Sequence, residues 1–293
     1  MYCYFYGFTE KPFEATSDPK FLYLNSAHRE ILASLLYGIE SRRGFVTLIG
    51  EAGTGKTTLL KAAMERLPVD TKTAFIFNTN FTFKQMLLKA LMHLGIIKSQ
   101  LNCTKADALD RLNDFAVSSL GLGGNIVFMI DEAQYLNWRS LENLRFLSNM
   151  ETHKHKLLQI VLSGQPELDA KLTQPKLQQL NQRISLRLCV PTLTEEEIYD
   201  YISHRLSVSN YIGPPIFSRQ SQKLILRYSK GIPRKINIIC DNALMIGYAT
   251  EKKTIDENVI KEVIRNLTPR FFINYEELTF LNSIQERSYY PDM

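Results

Sequence analysis

A parallel β-sheet covered by helices, followed by a small all-helical domain, is the fold class that this sequence of 293 residues predicts. Three observations predict it. Short runs rich in β-branched and aromatic residues alternate with helix-like segments over the first two thirds of the chain. After Pro191 the alternation stops and apolar residues recur at helical spacing. A glycine-rich loop sits between the first run and the first helical segment that follows it, where strand–loop–helix units bind phosphate.

The strand-like runs cover residues 45–49, 73–77, 126–130 and 157–162, with a fifth candidate at 184–190. They are short and almost wholly apolar, as strands buried on both faces of a parallel sheet must be. Helix-like segments lie between them at 57–66, 82–94, 105–119 and 138–151. This order implies strand–helix–strand crossovers and hence a parallel sheet covered on both faces. Beyond it, Thr194 and Glu197 form a capping-box start, and three or four helices fit residues 194–266. Breaks fall at Gly213-Pro214-Pro215 and Gly231-Ile232-Pro233. The expected domains are 1–191, a core with an N-terminal linker, 192–268, the helical domain, and a tail at 269–293 with one helix at 275–285. No internal repeat or low-complexity segment interrupts this plan.

Composition narrows the function only a little. A 45% hydrophobic content suits a chain with a sizeable core, and 35 basic against 30 acidic residues leave a net charge of +5. That surplus permits contact with nucleic acid or an anionic surface without demanding it. Cys3, Cys103, Cys189 and Cys240 are far apart, so single thiols in a reducing cytoplasm are expected rather than a metal site or disulfide framework. The N-terminus lacks the features of a signal peptide, and no run approaches the roughly 20 apolar residues of a membrane span. Any link to a membrane is therefore expected to run through a partner.

Gly50-Glu51-Ala52-Gly53-Thr54-Gly55-Lys56-Thr57 matches G-x-x-x-x-G-K-[ST] at each required position. Its glycines let backbone amides turn inward around phosphates. Lys56 supplies a point charge for the β and γ phosphates, and Thr57 a hydroxyl for Mg²⁺. The helix that follows, with Thr58 in its first turn, points its positive end at the same anion. ATP with Mg²⁺ is the ligand pair this pattern predicts.

Asp131-Glu132 ends the third apolar run. Two carboxylates at the end of a buried strand are costly unless something pairs them, and a nucleotide-bound Mg²⁺ would. Asp131 suits the metal, and Glu132 suits the attacking water as base or orienter. Ser163 and Gln165 end the next strand, where either could sense the γ-phosphate or the water. Asn78, at the end of the second strand, could hydrogen-bond Glu132. Arg183, just before the fifth strand, is placed to serve as an arginine finger for a neighbouring subunit, with Arg187 as the substitute and a structural ion pair as the alternative. Arg234 opens a helix of the second domain and could couple that domain to the γ-phosphate.

Taken together, these motifs resemble the ExeA-type ATPases, also called general secretion pathway protein A. Carrying the resemblance are Asp131-Glu132-Ala133-Gln134, Leu144-Arg145-Phe146-Leu147-Ser148-Asn149, Gly164-Gln165-Pro166-Glu167-Leu168, Gln182-Arg183-Ile184 and Gly231-Ile232-Pro233-Arg234-Lys235-Ile236-Asn237, in this order. The resemblance spans residues 2–267. It implies an AAA+ P-loop NTPase with a five-stranded parallel core and a helical lid, assembling into rings or filaments. It also implies that Gly50–Thr57 is Walker A, that Asp131 and Glu132 are Walker B, that Arg234 is the lid sensor, and that residues 21–28 line the adenine pocket. Secretion-pathway members often continue into a membrane span and a peptidoglycan-binding domain, so a shorter, soluble kind of member is expected.

The function these readings predict is a Mg-dependent ATPase acting at subunit interfaces of a homo-oligomer. It would drive or regulate assembly of a secretion, pilus or exopolysaccharide system, in the cytoplasm or at the inner face of the membrane. Two alternatives stand beside it. One is an ATP-dependent regulator of transposition that contacts DNA without sequence preference through Lys223, Arg227, Lys230, Arg234, Lys235, Lys252 and Lys253. The other is an ATP-loaded scaffold with little turnover, against which an intact Glu132 counts.

Overall fold

The computed structural model describes residues 1–77, 81–99 and 103–267. The described chain divides into two compact units, one within Ser17–Pro191 and the other Met1–Thr16 together with 192–267.

The first unit is built on a five-stranded parallel sheet: β1 (Phe45–Gly50), β2 (Thr71–Ile76), β3 (Asn125–Ile130), β4 (Gln159–Gly164) and β5 (Ile184–Val190), in the order β2-β3-β4-β1-β5. The three central strands β3, β4 and β1 are buried along their whole length, whereas β2 and β5, at the edges, are not. Side chains of a strand alternate between faces, so each strand feeds two cores. Ile126, Phe128 and Ile130 join Ile160 and Leu162 on one face, and Val127 and Met129 join Val46, Leu48 and Val161 on the other. In chain order the helices of this unit are α1 (Ser26–Glu40), α2 (Lys56–Arg66), α3 (Phe83–His93), α4 (Lys105–Gly121), α5 (Trp138–Leu147), α6 (Pro166–Leu172) and α7 (Gln178–Asn181). Capping boxes start α3 at Thr82 and α4 at Thr104.

One helix is shorter than the sequence suggests. Helical periodicity predicts 138–151, but α5 ends at Leu147. Ser148 and Asn149 instead bond the Arg183 guanidinium, and Glu151 then pairs antiparallel with Lys156 in a tight turn. Side-chain acceptors and a bridge at these positions offer the backbone an alternative to another helical turn.

The second unit holds α8 (Glu195–Val208), α9 (Arg219–Ser229), α10 (Pro233–Ala249) and α11 (Glu257–Leu267). The Thr194–Glu197 capping box is present, and the breaks fall at the expected Gly-Pro segments. The first sixteen residues belong with these helices, unlike the expected linker on the core. The cause is a band of aromatic residues that needs cover. Tyr2, Tyr6, Phe8 and Phe13 are all buried. Phe13 meets Phe217 edge to face with centroids 5.9 Å apart, and Phe8 meets Tyr211 at 5.4 Å. The buried Arg205 donates to the carbonyls of Pro12 at 2.5 Å and Glu14 at 3.0 Å, anchoring the segment.

No helix among the described residues is long and apolar enough to cross a membrane. The expected tail at 269–293, including its helix at 275–285, lies outside the described residues.

Candidate nucleotide site

The loop from Gly50 to Gly55 joins the end of β1 to the start of α2, at the carboxyl edge of the sheet. A side chain at Gly50 would stand 2.9 Å from both the Val190 carbonyl oxygen and the Thr54 hydroxyl, so the loop and β5 can approach only with glycine there. Gly55 has φ +99°, a conformation that favours glycine, and lets α2 begin at Lys56. Lys56 is buried and its Nζ donates to the carbonyls of Gly50 at 2.8 Å and Glu51 at 2.9 Å. Burial lowers the Lys56 pKa below the ordinary lysine range, and the nearby carboxylates of Glu132, Asp131, Glu51 and Glu167 offset only part of that. Thr54, also buried, ties the loop through a 2.9 Å bond to the Glu51 carbonyl. Glu51 and Ala52 are exposed, while Gly53, Thr57 and Thr58 are half-buried.

Strand register brings the remaining residues to this loop. Ile130 of β3 stands beside Leu162 of β4, so Asp131 and Ser163, each one step further along, emerge next to each other. Ser163 donates to Asp131 Oδ1 at 2.7 Å and is fully buried. Thr57 donates to Asp131 Oδ2 at 2.5 Å, and the Glu132 amide donates to Oδ1 at 3.0 Å. A buried carboxylate needs such partners. The hydroxyl of Thr57 and the carboxylate of Asp131 are hard oxygen donors already in contact, a set that fits Mg²⁺ better than a softer metal.

Glu132 turns the chain out of the strand with φ +53°, the left-handed region that a residue with a side chain enters at a cost. Its Oε2 accepts from Gln134 Nε2 at 2.6 Å and from Gln165 Nε2 at 3.4 Å. The two alternatives weighed at the end of β4 thus contact different carboxylates, Ser163 touching Asp131 and Gln165 touching Glu132. Gln134 does not stand out in the sequence as a site residue; its only signal there is its place in the Asp-Glu-Ala-Gln tetrad.

The other sequence candidates fall elsewhere. Arg183 Nη1 donates to Ser148 Oγ and Asn149 Oδ1, both at 2.5 Å, and Arg187 pairs with Asp169 and Asn181. Both arginines therefore make contacts within their own subunit. Arg234 is exposed at the start of α10 in the second unit. Asn78 lies outside the described residues. In the segment proposed to line the adenine pocket, Phe21 and His28 are buried and the Asn25 side chain caps α1.

Residues 39–172 match the model of the AAA domain family. The chain is 41% identical to general secretion pathway protein A of Aeromonas hydrophila over 249 residues, 85% of this chain and 45% of that protein. It therefore spans about half the length of that relative. Among solved structures it is similar to Cdc6p of Pyrobaculum aerophilum, with a TM-score of 0.70 and 17% identity over 91% of this chain and 73% of that one. It is also similar to the ORC2 protein of Aeropyrum pernix, solved as ADPNP–ADP complexes, with a TM-score of 0.66 and 17% identity over 87% and 71% of the two chains. At that identity these two likenesses speak to the fold. The phosphate-type loop and the acidic pair both lie inside the stretch that matches the AAA domain, and over most of its length the chain is similar to a secretion pathway protein.

Proposed function

We propose that this protein binds Mg-ATP at residues 50–58 and hydrolyses it at the interface between copies of the chain, to drive or regulate assembly of a secretion, pilus or exopolysaccharide system. The observation that carries the reading is the convergence of Thr57, Asp131 and Ser163 beside Lys56, with Glu132 next in the chain. In this reading Lys56 and the loop amides hold the phosphates. Thr57 and Asp131 hold Mg²⁺, which neutralises charge on the β and γ phosphates. Glu132 orients or deprotonates the attacking water, and Ser163 keeps Asp131 in place. Arg234 serves as the sensor contributed by the helical domain, and Arg183 as the finger in trans. The protein works in the cytoplasm, recruited to the inner membrane face by a partner. Phosphate release measured with Mg-ATP for the wild type and Glu132→Gln tests the core of this. Turnover in the wild type and a loss of at least ~100-fold in the variant are expected, with Mg-ATP binding kept. A wild type without turnover at any protein concentration would leave an ATP-loaded scaffold.

A second reading, a regulator of transposition, rests on one observation: Lys223, Arg227, Lys230, Arg234 and Lys235 are all exposed on or beside α9 and α10. Lys252 and Lys253 support it less, since Lys252 pairs with Asp256 and Lys253 lies over the Phe5 ring. Anisotropy of labelled duplex DNA with ATP, ADP or no nucleotide at two salt levels separates the readings. ATP-dependent affinity that falls steeply with salt favours the regulator, because phosphate contacts release counterions. Absence of affinity at low salt in every nucleotide state favours the assembly ATPase.

A further inference from the structure

We infer that Gln134 is the positioning residue of the site, a buried amide that fixes the Glu132 carboxylate and ties it to the loop after β4. The inference rests on the reading that Glu132 acts on the attacking water. It comes from two contacts made by one side chain. Gln134 Oε1 accepts from the Gln165 amide at 3.2 Å, and Gln134 Nε2 donates to Glu132 Oε2 at 2.6 Å. A backbone N–H can only donate, so the amide oxygen must face Gln165 and the amide nitrogen must face Glu132. The orientation of the side chain is thereby decided by the loop it touches.

The amide has little freedom to leave. Gln134 is 9% exposed, and a side chain at Gly164 would stand 2.8 Å from its Oε1, so glycine there is what lets it lie against the strand end. Its own carbonyl accepts from Lys171 Nζ, which also donates to the Leu136 carbonyl at 2.9 Å and so pins the turn at Ala133–Tyr135. Gln165 closes the circuit, its Nε2 lying 3.4 Å from the same Glu132 oxygen. Ser163, two residues earlier at the end of β4, holds Asp131. A shift of the segment Ser163–Gln165 would therefore move both carboxylates, Asp131 directly and Glu132 through Gln134. Glu132 sits on a left-handed backbone position that costs energy, and the two amides engage its side chain there.

Gln134→Ala, Gln134→Glu and Glu132→Gln test this, singly and with each Gln134 change combined with Glu132→Gln, by steady-state ATP turnover, nucleotide affinity and thermal melting. Gln134→Glu has the shape of glutamine but sets a carboxylate against Glu132 and against the Glu132-facing loop, so it preserves packing while removing the donor. Expected is a kcat loss of about 10- to 100-fold in Gln134→Ala, the scale of a hydrogen bond to a charged group, with nucleotide affinity unchanged. Gln134→Glu is expected to lose more than Gln134→Ala. Neither change should slow the residual rate of Glu132→Gln further, because a residue that acts through Glu132 has nothing left to act on. A Gln134→Glu enzyme with wild-type kcat would show a packing role and overturn the inference. So would equal losses from Gln134→Ala in the wild-type and Glu132→Gln backgrounds. If the wild type turns over and Glu132→Gln does not, either result overturns the role of Gln134 alone. A wild type without turnover overturns the hydrolysis reading, and this inference with it.

Discussion

The Thr57 hydroxyl and the Asp131 carboxylate are joined by a 2.5 Å hydrogen bond that links the first turn of α2 to the end of β3. The two residues are far apart in sequence and meet because β3 and β1 flank β4 in a parallel sheet. This bond would have to be exchanged for metal coordination when Mg²⁺ arrives, with both oxygens already close. Thr57→Ala and Asp131→Asn are therefore expected to bind ATP without Mg²⁺ about as the wild type does, but to lose the gain in affinity that Mg²⁺ brings. Turnover should fall by ~100-fold or more, the scale of removing one electrostatic partner at a reacting centre. Titrations of a fluorescent nucleotide with and without Mg²⁺ would show it, and an undiminished Mg²⁺ effect in both variants would move the metal elsewhere.

Lys56 donates to the carbonyls of Gly50 and Glu51, so it braces the loop from within. Lys56→Ala should abolish ATP binding in calorimetry, and it should also loosen the loop. Lys56→Arg keeps the charge but not the compact ammonium that fits this buried position, so weaker binding rather than none is expected from it. Wild-type affinity in Lys56→Ala would sink the assignment of the loop.

The N-terminal segment carries an alkaline weakness. Burial first, and then the hydrogen bond to Asp241, push the Tyr2 hydroxyl far above the ordinary tyrosine range. Burial and the neighbouring Tyr211 push Tyr6 up to about 12. A phenol whose folded pKa is raised keeps its proton longer in the native state than in the unfolded one. Native protein then holds more protons above roughly pH 10, so stability is intact below that value and falls as pH rises through the folded value. Thermal melts of the wild type are expected to drop steeply above roughly pH 10, and those of Tyr2→Phe with Tyr6→Phe to drop less. Parallel pH curves for the two proteins would count against the tyrosines as the cause.

Much of the core was legible because its signals are local. The three central strands are mostly apolar runs, and β5 spans 184–190 as the sequence predicts. The phosphate loop and the acidic pair depend on residue type and spacing alone. What the sequence hid depends on side chains meeting across long separations. The packing of Tyr2, Tyr6, Phe8 and Phe13 onto residues more than 200 positions later leaves no periodicity in a segment of sixteen residues. The bridge made by Gln134 was hidden for the same reason, since its partner Gln165 comes from another strand end. The end of α5 is hidden in the sequence because the helical pattern of 138–151 continues past Leu147, while the acceptors at Ser148 and Asn149 serve an arginine on a distant helix end.

That arginine gives the prediction with the sharpest alternatives. Arg183 is fastened to Ser148 and Asn149 of its own chain, the pattern of a structural residue, whereas the proposed function makes it a finger acting from just before β5. Arginine has five donors, and these two bonds use Nη1, so a structural anchor and a trans contact are compatible in one side chain. If Arg183 is a finger as well as an anchor, Arg183→Ala should bind ATP normally and hydrolyse it ~1000-fold more slowly. Mixing it with Glu132→Gln is the decisive measurement. Each variant lacks a different half of a composite site, so a mixed interface can contain one intact site, and part of the activity should return. If Arg183 is only an anchor, the loop at Ser148–Asn149 is freed, the melting temperature falls, and the mixture is as inactive as its parts. A wild-type rate per subunit that does not rise with protein concentration would point the same way, toward a site complete within one chain.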